Sequence, residues 1–258
     1  RQMCIRDRAG DIVEGAGAGN ADIVSTLTLN GGTLDLGGND IGTATETINN
    51  LNFQSGTLRS VASINGAGGL TKTTAGTLFM DGTSTYAGVT DIDQGTLSVL
   101  VSGSIAGSAT AVDNGATLNV RGTVNSMVTS SGTVSGASTT GTGILGSLSL
   151  DATGTISPGA SLDGQTTTAT LNTGALTATA GTEFKLELQN AVSYDQIRTS
   201  GVVTLAGATL SLTALNGFVP GIDDQFALVL NGSDSATSGL FAQSSFTCLL
   251  YTSPSPRD

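Results

Sequence analysis

The chain contains no histidine and no tryptophan, and its 258 residues include only two cysteines, four prolines and nine lysines and arginines. Each shortage closes a class of function. Without His a Ser–His–Asp triad cannot be built, and zinc loses its commonest nitrogen ligand. With so few cations and a net charge of −11, no basic patch is available to neutralise phosphates or to dock on anionic lipid. No apolar run approaches the roughly 18 residues of a membrane span. What the chain does have is glycine, 37 residues, about twice the usual share of roughly 7%. Thr, Ser, Ala, Leu, Val and Asn make up most of the rest. So much Gly suggests disorder, but the mean hydropathy is +0.17 and apolar residues recur at regular places, whereas disordered chains are poor in both apolar and β-branched residues.

The two ends read differently from the middle. The chain opens Arg1-Gln2-Met3-Cys4-Ile5-Arg6-Asp7-Arg8 and closes Cys248-Leu249-Leu250-Tyr251-Thr252-Ser253-Pro254-Ser255-Pro256-Arg257-Asp258. Both strings resemble translations of the transposase adapters used to build shotgun sequencing libraries. Residues 1–8 and 248–258 are therefore expected to be adapter-derived, not native, to make few contacts, and to be set aside in reading the fold. Both cysteines lie in them. The insert then has no thiol nucleophile, and five cations against eighteen acidic residues give it a net charge of −13. On this reading the gene is cut at both ends, so a missing signal peptide, anchor or translocator carries no information.

Internal repetition is the strongest signal. The unit is Gly, then Thr or another small residue, then alternating apolar residues: Gly32-Thr33-Leu34-Asp35-Leu36, Gly56-Thr57-Leu58, Gly76-Thr77-Leu78-Phe79-Met80, Gly95-Thr96-Leu97-Ser98-Val99 and Gly115-Ala116-Thr117-Leu118-Asn119-Val120. Looser copies begin at Gly132, Gly154, Gly181 and Gly207. Period-two alternation makes each unit a short strand, with Leu34 and Leu36 on one side and Thr33 and Asp35 on the other. The leading Gly supplies the positive φ of a sharp corner. Further strands are expected between the units, at Val89-Thr90-Asp91-Ile92 and Leu148-Ser149-Leu150. A period near 20 residues is too small for an immunoglobulin-like domain of about 100 residues or a propeller blade of about 40–45. It fits one coil of a stacked solenoid, in which each coil buries its apolar face only against its neighbours. Spacing that drifts from 17 to 27 residues between successive glycines favours a right-handed coil over the stricter left-handed hexapeptide type. The column Leu34, Leu36, Leu78, Leu97, Val99, Leu118, Val120, Leu210 and Leu212 is expected to be buried.

At Gly69-Leu70-Thr71-Lys72-Thr73-Thr74-Ala75-Gly76-Thr77-Leu78, followed by a loop with Tyr86 and the strand Gly95-Thr96-Leu97-Ser98-Val99, the chain resembles the passenger-associated transport repeat, the autotransporter-associated β-strand repeat of Gram-negative bacteria. Thr74 stands where that family usually has Gly. Residues 154–230, through Tyr194-Asp195-Gln196-Ile197 and Gly207-Ala208-Thr209-Leu210-Ser211-Leu212, are similar to the C-terminal end of such passengers. The resemblance implies secretion or surface display. It also gives a reason for the missing cysteine, because a stray disulfide would obstruct export through an oxidising periplasm. It further implies that residues 154–230 act as a folding nucleus, and their dense apolar residues, Phe184 and Val202 to Leu230 among them, make them the segment expected to resist proteases longest.

Carboxylates are the remaining candidates for chemistry. Asp91 and Asp93 flank Ile92 and would both face outward, which reads as two solvated strand residues before it reads as an acid–base pair. Asp223-Asp224 after Pro220-Gly221 reads as a turn before a calcium site. Gly37-Gly38-Asn39-Asp40-Ile41-Gly42 is similar to one calcium-binding nonapeptide turn, but such sites need stacked copies, so it reads as a Gly-rich corner. Arg59, Lys72 and Arg121 lie at unrelated coil positions and read as surface decoration, while the match of Lys72 to the repeat's Lys implies for it a structural role beside a corner. Tyr86 reads as packing before sugar binding.

The expected fold is therefore all-β: a right-handed parallel β-helix (solenoid) with a C-terminal capping region. Residues 9–153 form the repeat region and residues 154–247 the C-terminal β-helix and cap. The expected function is a non-catalytic structural stalk or adhesin-like passenger at the cell surface of, or secreted by, a Gram-negative bacterium. No catalytic, cofactor-binding or metal residue is assigned, and no cofactor. Host or cell-surface glycans or proteins are the expected partners, with no nucleic acid, no membrane insertion by this segment, and a monomeric chain. A carbohydrate-active β-helix enzyme or carbohydrate-binding surface protein is the alternative; the enzyme needs clustered charges in an outward groove.

Overall fold

The Gly-Thr-Leu units become the rungs of one sheet. In the computed structural model, described here for residues 10–13, 24–136, 143–159, 168–234 and 237–245, there is no helix among the described residues. Residues 1–8 and 248–258, expected to be adapter-derived, lie outside the described residues. A ten-stranded sheet takes in the strands Thr26–Asp35, Asn50–Arg59, Thr77–Asp81, Thr96–Val99, Thr117–Val120, Thr133–Gly136, Thr155–Pro158, Glu183–Leu188, Thr209–Ala214 and Gln243–Ser245, in chain order. The intervening strands form a second, twelve-stranded sheet. It is bent into two faces. One runs through Thr83–Ser84, Ser104–Ile105 and the first part of Thr123–Ser130, and the other through Leu70–Lys72, Thr90–Ile92, Thr110–Val112 and the end of Thr123–Ser130. The ladders are parallel, and the whole is a β-solenoid of about eight turns with three faces per coil.

The strands Thr77–Asp81, Thr96–Val99 and Thr117–Val120 each point two apolar residues inward, so the first face contributes two adjacent columns to the core instead of the single one expected. Leu78, Leu97, Leu118, Val134, Ile156, Phe184 and Leu210 stack in register in one, and Leu34, Leu58, Met80, Val99 and Val120 in the other. All are buried. Of the nine residues named from the pattern only Leu212 is half-buried, packed against the edge of the core. The repeat glycines serve two ends. Gly95 has φ +72°, as a corner requires. Gly132 has no positive φ; a Cβ there would overlap the Asp113 carbonyl oxygen of the preceding coil. The second reason was not visible in the repeat, because it depends on how closely successive coils approach.

Coil length varies where the corners are. Thr77, Thr96, Thr117, Thr133 and Thr155 occupy one register position, as do Glu183 and Thr209 above them. Added residues are absorbed between faces, as in the turn that carries the Leu188–Tyr194 antiparallel bridge. Toward the C-terminus Phe184, Leu186, Leu188, Val203, Leu205 and Leu210 are buried, Phe226, Leu228 and Leu230 half-buried, and Val202 exposed.

Candidate functional site

Period-two alternation places Lys72 inside the solenoid, two residues after the buried Leu70 and in register with Ile92 and Val112. It is fully buried, which corrects the reading of this residue as surface decoration, and it bonds at the corner beside which its place in the repeat implies a structural role. Its ammonium donates to the Thr74 carbonyl oxygen and, at 2.9 Å, to Thr74 Oγ1. Thr74 Oγ1 in turn donates to the Gln54 carbonyl oxygen at 3.2 Å. The Thr that departs from the repeat's usual Gly thus ties the corner to the coil before it. Burial lowers the Lys72 ammonium from its ordinary value. Next to it an internal hydroxyl chain links Tyr86 Oη to Thr90 Oγ1 and Thr90 Oγ1 to Ser108 Oγ, both at 2.7 Å. Tyr86 is buried, so it packs. Burial raises its phenol.

The other charges separate. Arg59 lies on the surface as expected but is paired: Nε donates to Asp81 Oδ2 at 2.8 Å and NH1 lies 3.5 Å from Asp35, so one guanidinium spans three consecutive rungs. The Ser102 hydroxyl also donates to Asp81, and these bonds hold the Asp81 carboxyl below its ordinary value against the effect of burial. Arg121 is half-buried at the end of another first-face strand. Asp91 and Asp93 are half-buried. Burial, then the charges of Asp93 and Asp113, raise the Asp91 carboxyl. Asp224 closes an exposed turn by accepting from the Gly221 N–H at 2.7 Å. At residues 37–42 the Gly38 N–H donates to the Ser60 carbonyl oxygen at 2.7 Å and Asn39 Nδ2 to the Leu36 carbonyl oxygen at 2.6 Å, a corner bonded by the chain itself. No group of three or more acidic or thiol side chains placed to hold a metal occurs among the described residues.

Two features were missed by reading the sequence. The first is Asp195, fully buried at the corner that leads from Glu187 into the strand Gln196–Thr199. Its Oδ1 accepts from the Ala169 N–H at 2.7 Å and its Oδ2 from the Glu187 N–H at 3.0 Å, so one carboxylate ties two coils together. Burial pushes it up to about 7, the two amides acting in the opposite direction. The second is a surface groove of about 240 Å³ on the outside of the twelve-stranded sheet. Ile144, Asn172 and Arg198 line it from successive coils, in register with one another. Gly146, Gly174 and Ser200 form the adjoining corner. The Gly174 Cα lies so close to the Gly146 carbonyl oxygen that a side chain there would overlap it, which leaves the corner bare. Although Asp195 lies in a string that carries the resemblance and its Glu187 partner is only 8 positions away, each feature also needs residues 26 or more positions apart.

Compared with known proteins, residues 70–99 match the family profile of the passenger-associated-transport-repeat. No curated protein and no solved structure matches the chain. The match covers the coils that bury Lys72 and Tyr86, so the residues that carry the repeat's pattern are those that close its corner and fill its interior.

Proposed function

We propose that this chain is a structural segment of a secreted or surface-displayed Gram-negative autotransporter-type passenger, a non-catalytic rod that presents its outer faces to host or cell-surface glycans or proteins. The observation that carries the reading is the match at residues 70–99 to a repeat of passenger proteins, lying within a continuous parallel solenoid whose rungs share one register. A stack of coils in which strands are fixed and corners vary supplies length and lateral surface. The coils wind right-handed on this reading, as about 98% of parallel strand–crossover–strand connections do. On this reading the coils from residue 154 onward also act as a cap over the apolar core.

The test is display. Residues 9–247 are fused upstream of a translocator β-barrel and expressed in a Gram-negative host. An antibody to the segment should label intact cells, and external protease should remove that label. Labelling only after the outer membrane is broken refutes the reading. Release of reducing sugar from uronate or neutral polysaccharides by the purified chain would favour the enzyme alternative.

A further inference from the structure

We infer that the groove lined by Ile144, Asn172 and Arg198 binds a single carboxylated pyranose, a uronic or sialic acid unit of a glycan, with Arg198 holding the carboxylate. The proposal deepens the surface-rod reading and rests on it. Arg198 is exposed, and unlike Arg59 and Lys185 it has no carboxylate within salt-bridge distance among the described residues. In a chain of net charge −11, a cation with no acidic partner over a groove is set apart from the other surface cations. One of its N–H groups donates to Gln196 Oε1 at 3.0 Å. The rest of the planar fork remains for solvent or ligand, and that fork matches a carboxylate bidentately.

The other walls suit a sugar. Asn172 Nδ2 donates to the Gly143 carbonyl oxygen at 3.3 Å, which leaves Oδ1 as an acceptor for a ring hydroxyl. Ser200 adds an exposed hydroxyl. Ile144 is 43% exposed and offers an apolar surface to the ring's C–H face. Neighbouring strands stand about 4.8 Å apart, so these three rungs span roughly 10 Å, the reach of one pyranose with its exocyclic carboxylate. At about 240 Å³ the groove is smaller than the 300–1,000 Å³ or so of pockets for drug-sized ligands, so it takes one ring and leaves the rest of a glycan along the rod. A phosphate dianion is disfavoured, because one cation faces it within a strongly acidic chain. Without an aromatic platform the affinity is low, with Kd on the order of 1 mM.

The full chain is titrated by ligand-detected NMR with trigalacturonate and with sialyllactose, against maltotriose and lactose. An acidic sugar should bind at least tenfold more tightly than its neutral counterpart. Binding of trigalacturonate alone assigns the site to uronate polymers and binding of sialyllactose alone to terminal sialic acid; either supports the proposal. Losing a hydrogen bond to a charged group is worth roughly a 10- to 100-fold drop in affinity. Arg198→Gln should therefore abolish the preference, while Lys185→Gln, a cation on the other sheet, should leave it unchanged. Both variants are checked for an unchanged circular dichroism spectrum, and Asn172→Ala provides a second, uncharged probe expected to weaken binding severalfold. Equal binding of acidic and neutral sugars, an Arg198→Gln chain that keeps the preference, or no binding by the wild type overturns the site. The surface-rod reading is decided separately, by display on cells.

Discussion

Replacing Asp195 by Asn should change how stability depends on pH more than it changes stability at any one pH. The carboxyl is fully buried and its value is raised from 3.8 to about 7. A raised acid keeps its proton in the folded chain over a range where the unfolded chain has lost it. Between about pH 4 and pH 7 the folded state therefore binds the extra proton, and stability falls as pH rises through that window. About three units at 1.36 kcal/mol each set the size of the loss at about 4 kcal/mol. Below pH 4 both states are protonated and the contribution is level. The amide of the Asp195→Asn chain cannot titrate. It offers one oxygen to the two N–H groups of Ala169 and Glu187 that Asp195 faces, and its NH₂ opposes the second, where the hydroxyl oxygen of a protonated carboxyl can still accept, at a cost of about 1–3 kcal/mol. The wild type should thus be the more stable form near pH 4.5, and the two should converge or cross by pH 8. With no tryptophan in the chain, unfolding in urea is followed by far-UV circular dichroism at a series of pH values. Glu187 is raised in the same direction by burial and its charge helps raise Asp195, so the difference between the two profiles reports Asp195 together with its coupling to Glu187. Parallel profiles for wild type and variant would refute the assignment of a raised, buried carboxyl.

Three further outcomes follow from the packing. Phe184→Ala empties a fully buried position between Ile156 and Leu210 and should cost about 3–5 kcal/mol, read as a lowered urea midpoint. Gly132→Ala should cost more than Gly115→Ala, because the first forces Cβ into a carbonyl of the preceding coil while the second meets no atom within 4 Å and bears only the strain of φ +86°; the opposite order in thermal midpoints would show that corner strain outweighs coil spacing. Limited proteolysis with mass spectrometry should leave a fragment within residues 154–230 longest, and its early loss with survival of residues 20–130 would argue against a stabilising C-terminal region.

The first face was legible because its signal is local. Gly-Thr-Leu carries a corner, an outward Thr and an inward Leu in three consecutive residues, so each copy could be read without its neighbours. The strands of the other two faces are as short as Thr83–Ser84 and Ser104–Ile105, and two residues show no periodicity. Lys72 misled because its chemistry and its register disagree: the amine argues for solvent, while its place two residues after Leu70 puts it inside, where Thr74 supplies the missing partners. The groove at Arg198 and the clamp at Asp195 were out of reach, since each is assembled by stacking coils of unequal length, and single-chain spacing does not say which residue lands above which.

The in-register ladder also determines how the chain can find its structure. First-face partners stand only 16 to 34 positions apart, as Thr117 to Thr133 and Thr209 to Gln243 show. That is roughly a tenth of the chain, well under the relative contact order near 0.16–0.22 of sandwiches and barrels. Each new coil has its whole template in the coil before it and needs nothing from farther along. A chain delivered one end at a time, as through a narrow channel, could therefore order itself coil upon coil as it emerges, each new coil covering the backbone edge left open by the one before.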